Sequence, residues 1–139
     1  MTRKQQREHI FRLLFQIEFI QKIEIDSHVD AYLEALVHSA TSKGKEVDTH
    51  AMDYIKDKFY QILSLVDVLD EKISSHATGW KISRMNKVDL TILRLALFEM
   101  EHDESIPLGV AINEAVELAK KFSGEEGPSF VNGVLAKMI

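Results

Sequence analysis

Apolar residues recur at helical spacing along almost the whole chain. Within residues 4–23 they follow the i, i+3, i+4, i+7 rule of an amphipathic helix, and the set is Ile10, Leu13, Leu14, Ile17 and Ile20. Ser27, followed three residues later by Asp30, resembles a capping box and predicts the start of a second helix there. No segment shows the alternation expected of a β-strand.

The middle of the chain continues this pattern. Asp48 or Thr49 is suited to cap a third helix, and the pattern restarts near Asp67 and stops before Gly79. In residues 88–100 the apolar side chains cover most of the helix circumference. A helix that is apolar on all sides is expected at the centre of a fold.

Two further helices close the chain. Pro107 precedes one of them, Gly124 follows it, and Pro128 is well placed to open the last. We expect the last helix to bury Val131, Val134, Leu135 and Met138. Gly133 costs roughly 1 kcal/mol relative to alanine inside a helix, so it predicts the close approach of a neighbouring helix. The fold class is therefore all-α, with the weakest join near residues 42–50 or 64–67.

Composition narrows the classes of function. The chain has 139 residues, no cysteine and a net charge of −5. Disulfides, thiolate zinc sites and cysteine nucleophiles are excluded. The apolar residues near the amino terminus are interrupted by Arg12, Gln16 and Glu18, unlike a signal peptide. No run approaches the roughly 20 apolar residues of a membrane span. We expect a soluble, cytoplasmic protein without a membrane partner.

The usual signatures of catalysis are missing. There is no glycine-rich phosphate loop, no HExxH and no GxSxG motif. The six histidines include no i, i+4 pair that would chelate a metal. A Ser/His/Asp set that is dispersed in sequence stays open. We nevertheless expect no enzymatic activity, no cofactor and no metal.

The amino-terminal segment is basic within this acidic chain. Arg3, Lys4 and Arg7 are spaced three and four apart, which places them on one side of a helix. Cations at this end oppose the helix dipole, so a bound anion such as a polyphosphate chain is one explanation. An ordinary solvated helix face is the other. Phe15 lies two turns further on, and it is suited either to stack on an unpaired base or to pack in the core.

Four sequence segments carry a resemblance to a known family. They are LLFQIEF, GWKISRMNKVDLTILRLALFEM, IPLGVAINEAVELAKKF and PSFVNGVL. In this order, behind a basic first helix, they resemble the NusB transcription antitermination family over essentially the whole chain. The basic segment is thinner than in strongly arginine-rich members, and Phe15 stands where some members have tyrosine.

The resemblance implies a fold and a function. The fold would be about seven helices in two small bundles, residues 1–66 and 67–139, with no enzymatic activity. Family members pair with the small-subunit ribosomal protein NusE and bind the box A element of nascent RNA. With other Nus factors they help the elongating RNA polymerase pass terminators, notably in ribosomal RNA operons.

The resemblance also implies roles for individual residues. Arg3, Lys4 and Arg7 match the basic RNA-contacting segment, and Phe15 and Phe130 match aromatic positions linked to RNA binding. Asp89 and Phe15 match the NusE interface, and Glu126 falls in the loop that modulates RNA binding.

Two alternatives stay open at this point. NusB-like helical domains also precede RNA methyltransferase domains, so the chain could be the RNA-binding accessory module of a modifying system. A homodimer that hides the basic face is the other alternative.

Overall fold

The computed structural model describes residues 1–139, and its regular elements are all helical. The helices are α1 (Arg3–Gln16), α2 (Ile25–Ser42), α3 (Thr49–Ser64), α4 (Val66–His76), α5 (Lys87–His102), α6 (Leu108–Phe122) and α7 (Gly127–Ala136). Short 3₁₀ turns lie at Ile17–Phe19, Lys22–Glu24 and Ile82–Arg84. The predicted all-α class is confirmed. None of the seven helices has both the length and the apolar character that crossing a bilayer requires.

The chain divides into two compact units, which we call the amino-terminal unit (Met1–Gln61) and the carboxy-terminal unit (Ile62–Ile139). The division lies near the end of α3, five residues ahead of the division at 66 that the family resemblance implies. The first unit therefore contains α1, α2 and most of α3, and the second contains α4 to α7.

Helix α1 begins with a capping box that the sequence reading missed. The Thr2 hydroxyl accepts from the Gln5 N–H at 3.1 Å, and the Gln5 side chain accepts from the Thr2 N–H at 2.8 Å. These two bonds satisfy backbone donors that a helix start otherwise leaves unpaired. The first turn of α1, which carries Arg3 and Lys4, is thereby fixed in place.

The far end of α1 differs from the prediction. The α-helix stops at Gln16 and a 3₁₀ turn follows, so the expected continuous helix to residue 23 is wrong. Ile10, Leu13 and Leu14 are buried as expected, but Ile17 and Ile20 are only partly buried. The change of helical pitch after Gln16 rotates these later residues away from the buried stripe.

The predicted capping box at Ser27 is also wrong, because α2 already starts at Ile25. The Ser27 hydroxyl instead donates to the Glu24 carbonyl at 3.0 Å. The predicted cap of α3 is correct, since Asp48 Oδ1 accepts from the Ala51 N–H at 3.0 Å.

Helix α5 forms the centre of the carboxy-terminal unit, as its apolar circumference predicts. Every residue from Asp89 to Glu99 is buried, and α5 packs against α4, α6 and α7. One charged residue in this core, Arg94, forms a two-pronged ion pair with Asp70 of α4, with N···O distances of 2.7 and 2.8 Å. The matched planar groups compensate the cost of burying the guanidinium.

Helix α7 confirms part of its prediction. Pro128 lies in its first turn and Val131, Val134 and Leu135 are buried, whereas Met138 is only partly buried. The close approach predicted at Gly133 is wrong, because a Cβ added there would meet no atom within 4 Å. The close approach occurs at Gly127, where an added Cβ would lie 2.1 Å from Ser123 Oγ.

Candidate functional site

Two exposed cations of the amino-terminal unit lie together at the start of α1. Arg3 and Lys4 are exposed, and the first turn contains no acidic residue. Their charges therefore add to the positive end of the helix dipole rather than being neutralised by it. The Arg3 guanidinium lies over the Tyr54 ring, 4.5 Å from its centre, and this cation–π contact restrains the arginine.

A second cation uses the same tyrosine. Lys58, one turn after Tyr54 on α3, donates from Nζ to the Tyr54 hydroxyl at 2.6 Å and lies 4.9 Å from the ring centre. Sequence reasoning missed both residues because they lie about fifty positions from Arg3. The i, i+4 spacing of Tyr54 and Lys58 on α3 predicts that these two side chains contact each other. No pattern in the neighbouring sequence indicates that they also lie near Arg3.

Arg7 does not lie clear of the core, as the spacing argument expected. It is only 8% exposed. Residues 7, 10, 11 and 14 share one helical stripe, and Ile10, Phe11 and Leu14 on it are buried. Helical spacing places Arg7 beside Arg3, but it equally places Arg7 beside the buried Ile10 and Phe11. In the folded protein the Arg7 side chain packs with these buried residues.

The chain terminus is attached to the start of α3. The Met1 ammonium group pairs with Asp48 Oδ2 at 3.0 Å. The hydrogen bond from the Ala51 N–H, together with the bond from the terminal ammonium, lowers the pKa of Asp48. The carboxylate is thus stabilised in its charged form, and it holds the residues in front of the cationic turn.

Phe15 occupies the middle of an aromatic series, Phe11, Phe15 and Phe19. Its ring is stacked on Phe11 with a centroid distance of 6.2 Å and meets Phe19 edge-on at 5.1 Å. Phe11 is buried, Phe15 is partly buried and Phe19 is 66% exposed. Phe15 therefore packs on the core and also retains accessible surface. Its position is compatible with both interpretations of its spacing, core packing and stacking on a base.

A histidine–tyrosine pair joins α1 to α2. His9 Nδ1 and the Tyr32 hydroxyl are 2.6 Å apart. Burial, and then the charge of Arg12, lower the pKa of His9 against an opposing effect of Glu8, while burial raises the pKa of Tyr32 to about 12. Both shifts favour the uncharged forms, so the hydrogen bond joins a neutral imidazole and a protonated phenol.

The carboxy-terminal unit gathers the remaining predicted residues around one cleft. Asp89, Glu126 and Phe130 all line it. Asp89 is 8% exposed, and its Oδ1 accepts from the Ser123 hydroxyl at 2.5 Å. Glu126 is exposed and directly precedes α7. Gly127 permits the Asp89–Ser123 contact, because a side chain at this position would collide with Ser123.

Trp80 is the main residue of this cleft that sequence reasoning missed. It is 54% exposed, and its ring meets Phe130 edge-on with a centroid distance of 5.3 Å. Trp80 lies in the link between α4 and α5, and Phe130 lies in α7, fifty residues later. Tryptophan is highly buried on average, so an exposed one is a useful signal of a functional surface. The exposure of Trp80 is visible only in the structure, however, and not in the sequence.

These observations define the class of the molecule: an all-helical protein of two small units, one with a cationic helix start and the other with an aromatic, carboxylate-lined cleft. The NusB family model matches residues 4–139. The chain belongs to the NusB family.

Two curated relatives match this chain over nearly their full length. The transcription antitermination protein NusB of Lachnoclostridium phytofermentans is 42% identical over 139 residues, which cover 100% of this chain and 99% of the relative. The protein of the same name from Agathobacter rectalis is 42% identical over 137 residues, covering 99% and 98%.

Solved structures share the fold. NusB of T. maritima superposes with a TM-score of 0.85 at 28% identity, covering 99% of this chain and 90% of that one. A structure of antitermination factors NusB and NusE in complex with double-stranded RNA gives a TM-score of 0.72 at 24% identity, covering 98% and 96%. The latter likeness concerns the fold alone.

Proposed function

We propose that the protein is a non-catalytic transcription antitermination factor that binds RNA together with NusE. In detail, it would bind the box A element of nascent transcripts, notably of ribosomal RNA operons. With other Nus factors it would help RNA polymerase read through terminators. The observation that carries the proposal is the full-length match, at 42% identity, to curated antitermination proteins.

The cationic start of α1 supports an RNA contact in the amino-terminal unit. Lys4 is exposed and has no ion-pair partner in the protein, and Arg3 contacts only an uncharged ring. Neither charge is neutralised locally, so both attract phosphate groups. We assign Arg7, which is buried, a supporting role in this surface rather than a primary contact.

Aromatic side chains would supply the second part of RNA binding. The accessible part of Phe15 offers a stacking face to an unpaired base, and such stacking is sequence-tolerant. Phe130 is the second candidate for stacking on a base. For the contact with NusE we assign Asp89 together with Phe15. Glu126, exposed beside Phe130, is placed to weaken RNA binding nearby through its negative charge.

The experiment is the salt dependence of RNA binding in the Arg3→Ala, Lys4→Ala and double variants. For a single strand, each lost phosphate contact reduces the slope of log K against log[salt] by about 0.7. Lys137→Ala removes another exposed cation, directly after α7, and serves as the matched control. An unchanged slope in the double variant, or an equal change in Lys137→Ala, would contradict the phosphate-contact assignment.

A further inference from the structure

The guanidinium group of Arg3 has a defined neighbour although the residue is exposed. It lies over the Tyr54 ring, with its central carbon 4.5 Å from the ring centre. A guanidinium is planar, and its N–H donors point outward in that plane. In the folded protein these donors bond to no other residue. Tyr54 therefore covers one face of the group and leaves its edge of donors open.

Tyr54 belongs to a part of α3 that is fixed in the core. Its neighbours along the helix, Ala51, Ile55 and Phe59, are at most 2% exposed, and Tyr54 itself is partly buried. Lys58, which is buried one turn later, donates from Nζ to the Tyr54 hydroxyl at 2.6 Å. The ring is thus held at its backbone end and at its hydroxyl end, and it forms a rigid platform beneath Arg3.

A rigid platform matters because a long cationic side chain loses conformational freedom when it binds. Immobilising such a side chain in an interface costs a factor of roughly two to ten in affinity. The contact with Tyr54 confines Arg3 before any ligand arrives, whereas Lys4 is exposed and has no partner in the protein. A confined guanidinium presents its fork of donors in one direction, which suits two parallel hydrogen bonds to a phosphate group.

We propose that Tyr54 is a positioning residue for RNA binding, which holds the Arg3 guanidinium so that its open edge meets a phosphate group of the RNA backbone. The inference deepens the proposed function and rests on it for the identity of the ligand. Tyr54 acts through Arg3 and makes no contact with the RNA itself. The machinery for RNA binding thereby extends from α1 to α3, about fifty residues further along the chain.

The test is a double-mutant cycle on the affinity of the full chain for labelled box A RNA. Tyr54→Leu should weaken binding roughly two- to fivefold, since it removes the ring beneath Arg3 but no charge. Tyr54→Phe keeps the ring and should stay within about twofold of the wild type. When Arg3 is already replaced by alanine, Tyr54→Leu should cause no further loss, because the residue through which Tyr54 acts is gone.

Two controls separate positioning from a structural role. Tyr54→Leu should keep its full effect in combination with Lys4→Ala, since Lys4 does not contact the ring. Tyr60→Leu removes another partly buried tyrosine of α3, whose hydroxyl donates to Asp26 at 2.6 Å, and should leave RNA affinity unchanged.

Four results would each overturn the proposal. They are unchanged or tighter RNA binding by Tyr54→Leu, the same loss from Tyr54→Leu with and without Arg3, loss of binding in Tyr54→Phe, and an equal loss in Tyr60→Leu. The second of these would indicate that Tyr54 contacts the RNA directly.

The arrangement can also be measured without RNA, by NMR of the free protein. Protons above an aromatic ring are shifted upfield by its ring current. The side-chain resonances of Arg3 should therefore lie upfield in the wild type and in Tyr54→Phe, and return to random-coil positions in Tyr54→Leu. A wild-type spectrum without this shift would overturn the inference by itself.

The two measurements also distinguish this inference from the proposed function. If the wild-type protein binds RNA but the cycle shows no coupling between Tyr54 and Arg3, the positioning role is wrong and the function stands. If the ring-current shift is present and the wild-type protein binds no RNA, the proposed function is wrong and the positioning role falls with it.

Discussion

Replacing Gly127 by alanine is expected to destabilise the carboxy-terminal unit and displace Ser123 from Asp89. The new Cβ would lie 2.1 Å from Ser123 Oγ, 2.5 Å from Ser123 Cβ and 3.1 Å from Asp89 Oδ1. Favourable contacts between carbon atoms lie at about 3.5–4.0 Å. Rotation about χ1 moves the Ser123 hydroxyl but leaves its Cβ in place, so the backbone of the α6–α7 connection must shift.

The size of the effect follows from two opposing contributions. Forcing an additional methyl group into a packed site costs about 1–3 kcal/mol. Replacing glycine recovers about 0.4–1 kcal/mol by restricting the unfolded chain. We therefore expect Gly127→Ala to lower the free energy of unfolding by about 1–2 kcal/mol, measured by urea denaturation with an unchanged m-value.

The protein supplies a matched control and a rescue. Gly133→Ala, in the same helix, places its methyl group in open space and should stabilise by up to about 1 kcal/mol through helix propensity. Ser123→Gly removes both colliding atoms, so combining it with Gly127→Ala should reveal a favourable coupling energy of about 1 kcal/mol or more. Equal stability of the two alanine variants, or additive effects in the double variant, would refute the steric explanation.

Three further predictions concern the rest of the molecule. Asp70→Ala leaves the Arg94 guanidinium largely buried without its carboxylate and should cost about 3 kcal/mol of unfolding free energy; a loss below about 1 kcal/mol would show that the pair contributes little. Because the folded-state pKa of His9 lies below its unfolded value, stability is retained above the unfolded pKa, near 6.5, and falls as pH decreases below it. His9→Gln should reduce the difference between urea midpoints at pH 7.5 and 5.5, and an unchanged difference would exclude His9 as its source. Phe15→Ala should weaken RNA binding by about 1–3 kcal/mol if one base stacks there, while Phe15→Tyr retains it; equal RNA affinity of a folded Phe15→Ala would end the stacking proposal.

The helices that the sequence predicts best are those with unambiguous periodicity and clear boundary residues. The apolar circumference of α5 gave its buried position correctly, and Pro128 marked the first turn of α7. The end of α1 was missed because no glycine or proline marks Gln16, and the apolar spacing continues past it. Gly133 and Gly127 show a second limit, since only the packing of Ser123 distinguishes a required glycine from a tolerated one.

The candidate site was less predictable because its parts are far apart in sequence. The cations of α1 are visible locally, but their separation into exposed Arg3 and Lys4 and buried Arg7 depends on which stripe packs inward. The approach of Trp80 to Phe130 is a tertiary contact across fifty residues, and no local pattern encodes it. The resemblance to a family implied separate roles for Asp89 and Phe130 and did not indicate that they are neighbours. The structure places both residues in one cleft.

The most direct test of the proposed function is an electrophoretic shift with box A RNA and a scrambled RNA of equal length, each with and without NusE, at several salt concentrations. We predict that NusE strengthens binding to box A more than to the scrambled RNA, and that affinity falls with rising salt. Equal affinity for the two RNAs in the presence of NusE, or no RNA binding by the pair even at low salt, would contradict it.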